Sequence, residues 1–167
     1  MKKILKNSGF TLIELIIVVA IIALLAAASF VAINPGKRVG DANNAKRWSD
    51  ITAIADAYSA YLVDNGGTHP TTTAFTNGVT YSITSTTVAH AERCAADTTN
   101  GNATTTTANV NLSNLVTSGY IGAIPSDPGY VAADTYNTGY YLYKESSGKL
   151  VIGSCDAYNS ANIEVVR

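Results

Sequence analysis

Apolar side chains fall along this chain in three textures. Residues 10–33 are apolar almost without interruption, the exceptions being Thr11, Glu14 and Ser29. At a rise of about 1.5 Å per residue this stretch makes roughly 36 Å of helix, enough to cross a hydrocarbon core of about 30 Å. A second texture follows. Trp48, Ile51, Ala55, Tyr58 and Leu62 recur at spacings of three and four, with Ile54 and Tyr61 widening the stripe. That period predicts an amphipathic helix ended by Gly66 and Gly67, with Lys46, Arg47, Asp50, Asp56 and Asp64 on its solvent face. Between the two lies the sequence NPGKRVG. Pro35 lacks an amide donor and its ring crowds the carbonyl of Val31, while Gly36 and Gly40 weaken the helix further. A kink or local break at Pro35 and Gly36 is expected.

The third texture has period two. Val79, Tyr81 and Ile83 alternate with Thr80, Ser82 and Thr84, as a half-buried strand does. Residues 139–153 read as a hairpin turning at Ser146, Ser147 and Gly148, and NIEVVR near the C-terminus as an edge strand. A short helix or turn is expected at residues 114–118, stopped by Gly119. Helix followed by strands gives an α+β fold, a long N-terminal helix packed against a small antiparallel sheet. The expected organisation is residues 1–9 ahead of the apolar run, 10–33 as the spanning helix, 34–66 as joint and amphipathic helix, and 67–167 as a globular head. Residues 68–107 are rich in threonine and read as surface loops and edge strands, or as an acceptor surface for O-linked sugars.

Charge narrows the partners. The chain carries a net charge of −1. Setting aside Lys2, Lys3 and Lys6 leaves eight basic against twelve acidic residues. No specific nucleic acid is indicated, and the charge draws the head to no anionic surface. The three lysines before the span, against Lys37 and Arg38 after it, favour a cytoplasmic N-terminus. Cys94 and Cys155 both follow the span. On an exported head they are read as a disulfide; in a cytosolic domain they would be two buried thiols.

The first thirty residues have two readings. One is a secretory signal peptide with an apolar stretch over residues 15–25 and a small-residue cleavage site at residues 26–29, releasing a soluble binding module after Ala28. Glu14 speaks against it, because a carboxylate at the head of the apolar run gives such a signal nothing. The stretch KNSGFTLIELIIVVAIIALLAA resembles the N-terminus of type IV prepilins and pseudopilins. In that family a basic leader ends in glycine, the mature chain starts at phenylalanine, and a glutamate follows; here these are Gly9, Phe10 and Glu14.

The resemblance implies a type IV pilin-like fold, cleavage between Gly9 and Phe10 on the cytoplasmic side by a prepilin peptidase, and N-methylation of Phe10 by the same enzyme family. The helix then stays attached to the exported head. Glu14 would meet the new amine of a neighbouring copy and register the subunits, since a carboxylate left unpaired in hydrocarbon is costly. Implied partners are copies of the chain itself, the peptidase, the inner membrane before assembly, and a platform protein with its motor ATPase. The filament would lie at the cell surface, or form the pseudopilus of a secretion or DNA-uptake machine.

SGYIGAIPSDPGY, residues 118–130, resembles a segment of major pseudopilins in which Gly-Tyr precedes Pro-x-Asp-Pro. The Trp-Gly that commonly follows and the acidic calcium loop are not recognisable. Asp127, Asp134 and Asp156 have no EF-hand spacing, so no metal is assigned. Asp127 is read as an Asx-type turn residue beside Pro128. His69 and His90 are the only histidines. His90 stands four residues before Cys94, but no orienting acid or further ligand recurs near them. No phosphate loop and no nucleophile elbow is present, and the ten tyrosines read as sheet and interface residues. Neither catalytic residue nor cofactor is expected.

Overall fold

The computed structural model describes residues 9–71, 75–85, 108–129 and 137–167. The chain divides into two compact units, Met1–Val39 and Gly40–Arg167.

In the first unit, helix α1 covers Leu12–Ile33. Its side chains are exposed on every side. At about 1.5 Å per residue it is roughly 33 Å long, so it meets the length and composition for crossing a membrane. Asn34 ends it in the left-handed conformation, φ 45° and ψ 75°, and Pro35 is the first residue of helix α2, Pro35–Asp64. A proline is at home there, because a first-turn amide has no intrahelical acceptor in any case. The Asn34 side chain takes up one such orphan, its Oδ1 accepting the Lys37 amide at 3.3 Å.

The second unit packs α2, from Gly40 onward, against a five-stranded sheet of order β2-β1-β3-β4-β5. The strands are β1 (Thr80–Thr84), β2 (Ala108–Asn111), β3 (Asn137–Lys144), β4 (Leu150–Ser154) and β5 (Glu164–Val166), with a short helix α3 at Ser113–Thr117. The hairpin, the C-terminal strand and the short helix expected from the sequence are all present. The sheet is mixed rather than antiparallel: β2 runs parallel to β1, while β1-β3, β3-β4 and β4-β5 are antiparallel. A parallel neighbour needs a long crossover, and the threonine-rich residues between β1 and β2 supply that length.

Ile51, Ile54, Ala55 and Tyr58 of α2 interdigitate with Tyr81, Ile83, Val110, Leu115, Tyr140, Leu142 and Ile152 to form the core. The alternation in β1 is real, but Thr80, Ser82 and Thr84 are as buried as Tyr81 and Ile83. The strand is therefore covered on both faces rather than half-buried. Helix α2 ends in a Schellman-type turn. Gly66 and Gly67 both have positive φ, and the Gly67 amide donates to the Leu62 carbonyl at 2.8 Å.

Candidate assembly segment and the clasp on the head

Gly9, Phe10, Thr11 and Glu14 line one concavity at the start of α1. Thr11 is the N-cap. Its hydroxyl accepts the Glu14 amide at 3.3 Å, and the Glu14 carboxylate accepts from the Thr11 amide at 2.9 Å and its hydroxyl at 2.8 Å. This is a reciprocal capping box, which satisfies two amides that the first helical turn leaves without partners. The threonine three residues before a glutamate is its sequence signature, unremarked among the apolar residues around it. Glu14 is the one ionisable side chain of α1, and Phe10 stands exposed beside it.

Of the remaining expected site residues, Pro35 and Gly36 lie in the first turn of α2. Cys155 is buried next to Tyr141. Cys94, His90, Asp134 and the leader lysines lie outside the described residues.

The head contains a constellation that sequence reasoning missed. Arg47 belongs to the buried face of α2, not the solvent face, and is 4% exposed. Its guanidinium meets the Asp127 carboxylate side-on, Nε to Oδ2 at 2.7 Å and Nη2 to Oδ1 at 2.8 Å. Asp127 is itself 3% exposed. The Asx turn expected there exists, since the Gly129 amide donates to Oδ1 at 2.7 Å, but the same carboxylate is the counter-ion of Arg47. That partner holds the guanidinium protonated, above its usual range, against the cost of burial. Arg47 Nη1 also donates to Asn44 Oδ1 at 2.9 Å. Asn44 in turn grips Tyr158 twice, accepting its amide at 2.9 Å and donating to its carbonyl at 3.0 Å.

Local chain geometry makes room for this clasp. Gly139, at φ 78°, sits in the bulge of β3 between the Ser82–Tyr141 and Thr84–Asn137 pairs. A Cβ there would stand 2.8 Å from the Cβ of Asp127. At Gly40 the Tyr158 ring occupies the volume any side chain would need. One turn further along α2, Asp50 accepts from Lys46 at 2.6 Å and from the Tyr140 hydroxyl at 2.8 Å. Burial and that carboxylate push the Tyr140 hydroxyl well above its usual range.

Trp48, expected in the core stripe, is 44% exposed. Arg47 takes the position one turn before Ile51 that the pattern assigns to Trp48, and the indole projects about 100° around the helix from it.

Near the other end of α2, the Tyr58 hydroxyl and His69 Nδ1 are 2.7 Å apart. The His69 ring packs edge-on against Phe75. Burial, then the Lys144 ammonium, holds the His69 pKa below its usual value. The described residues contain no cluster of three His, Cys, Asp or Glu able to hold a metal ion.

Residues 4–30 match the family model described as the prokaryotic N-terminal methylation motif. Over 72 residues the chain is 42% identical to the type II secretion system core protein G of Vibrio cholerae. That match covers 43% of this chain and 47% of the relative, so it spans about half of that protein's length. No solved structure matches. Both findings support the type IV pilin and pseudopilin resemblance, and both point to a structural subunit rather than an enzyme.

Proposed function

We propose that this chain is a structural subunit of a type IV pilus-like filament, built through its N-terminal helix after cleavage between Gly9 and Phe10 and N-methylation of Phe10. The observation that carries the reading is the coincidence of the methylation motif with a helix exposed on all sides and holding a single carboxylate four residues after Phe10. An apolar surface all round suits both lipid and a core of packed helices, so transfer from one to the other need not expose it to water. Head-to-tail contacts that do not close into a ring extend into a filament.

Glu14 supplies the register. Cleavage at Gly9 frees an amine on Phe10, and in a low-dielectric bundle the Glu14 carboxylate of one copy selects the amine of the next. Until then the capping box satisfies the carboxylate within its own helix. The break at Asn34 and Pro35 serves as the joint before the head, Cys94 and Cys155 form a disulfide within it, and residues 67–167 are exported. Before assembly the chain is a single-pass inner-membrane protein. Its partners are further copies of itself, the prepilin peptidase, a platform protein and an ATPase.

A second reading has its own support. The 42% identity to the secretion core protein G runs over 72 residues, a longer stretch than the methylation motif at residues 4–30. It favours a pseudopilin of a secretion or DNA-uptake machine.

Mass spectrometry of the N-terminus of the exported protein tests the first premise: methylated Phe10 is expected, and a chain starting at Ser29 overturns it. Imaging of cells for long surface filaments containing this chain separates pilin from pseudopilin.

A further inference from the structure

The apolar face of α2 does not by itself say where along the helix the sheet must sit. Ile51, Ile54, Ala55 and Tyr58 are followed one turn on by Tyr61 and Leu62, which also pack against the core. A slip of one turn, about 5.4 Å, exchanges apolar for apolar, and hydrophobic attraction has no direction with which to resist it. The polar contacts on the same face are different in kind. The Arg47–Asp127 pair is bidentate, and both side chains are almost wholly excluded from solvent. Asn44 holds both backbone groups of Tyr158 while accepting from Arg47, and the Tyr158 ring lies over Gly40, where a Cβ would collide with it.

Residues 40, 44 and 47 are one stripe of α2 at helical spacing. They meet two segments far away in the chain, the loop carrying Asp127 and the 3-10 turn Tyr158–Ser160. We infer that Arg47 is the register-setting residue of the head: with Asn44 and Gly40 it selects one axial seat of the sheet on α2, while the apolar core supplies the attraction. A buried ion pair offers little net stability against its desolvation, yet a slip that leaves Arg47 without Asp127 buries a bare charge. The pair therefore penalises wrong seats more than it favours the right one.

The test uses the full chain in detergent micelles, with spin labels carried by non-canonical residues at the exposed positions 53 on α2 and 147 in the β3-β4 turn, so that both cysteines remain. The wild type gives a single label-to-label distance. The double variant R47M/D127L is expected to stay folded and to add a second distance, displaced by about 5 Å. Arg47→Lys keeps the charge without the fork and is expected to show the second distance at lower population. A single wild-type distance in both variants overturns the inference. Failure of the double variant to fold also overturns it, because the apolar contacts would then be insufficient to hold the head.

Discussion

The ring of Tyr141 on β3 lies across Gly153 on β4 and delivers its hydroxyl to Glu164 on β5. Three neighbouring strands are thereby tied in one row on the sheet face opposite α2, and the strand glycine is explained by the ring that covers it. Gly153→Ala would drive a methyl group into that ring. A loss of about 1–3 kcal/mol in denaturant unfolding is expected, in line with overpacked cores. Tyr141→Phe in the same background should recover only part of it, since the added Cβ would meet the hydroxyl oxygen and the ring carbon that bears it equally closely, and the ring carbons remain.

Glu14 caps its own helix and, on the proposed function, also registers neighbouring copies; Glu14→Gln divides the two. Glutamine still closes a capping box but carries no charge. Normal membrane insertion and an intact start of α1 are expected, with filament yield falling at least tenfold in a surface-shearing assay. Thr11→Ala should do the reverse at the helix start, costing about 1 kcal/mol of cap stability. Wild-type filament yield from Glu14→Gln would remove the carboxylate from assembly.

His69 is expected to make the head sensitive to mild acid. Its folded pKa lies below the unfolded value, so between the two the unfolded chain binds more protons. The contribution is complete above about pH 6.5 and declines as pH falls through that value toward the folded pKa. The melting temperature should drop between pH 7.5 and pH 5.5, and His69→Gln should flatten that part of the profile. Identical slopes for the two proteins would exclude His69 as the source.

The proposed bond between Cys94 and Cys155 closes a loop of about 60 residues, which on the chain-entropy model is worth roughly 4 kcal/mol. Intact mass without reductant should fall two hydrogens short of the reduced chain. Reduction should lower the unfolding midpoint. Two alkylatable thiols in the exported protein would show the bond to be absent.

Local period carried most of the architecture. The apolar run before Asn34, the stripe through Ile51 and Tyr58, and the alternation ending at Ile83 each encode their element within a few residues, and α1, α2 and β1 follow. Arg47 was illegible for the opposite reason. A charged residue beside Lys46 defaults to solvent, and the carboxylate that makes its burial tolerable is 80 positions away. Trp48 erred with it, since the two exchange faces. The parallel pairing of β2 with β1 was likewise beyond reach, because Ala108–Asn111 is short and only one residue of it, Val110, is fully buried. Thr11 was legible in principle: its spacing to Glu14 is a helix-start signature, hidden because Glu14 suggested intermolecular chemistry first.

At one margin the sheet ends on β5, only three residues long, with Glu164 and Arg167 flanking its valines and the Arg167 backbone already closed onto Leu150. Subunits crowded side by side at the density of a fibre would be exposed to cross-β stacking if they offered a long flat margin. So brief a strand, with a carboxylate at one end and a guanidinium at the other, is a poor template for it. The proposed polymerisation would thereby be left to the helices, whose apolar surface suits lipid and bundle alike, and kept away from the sheets.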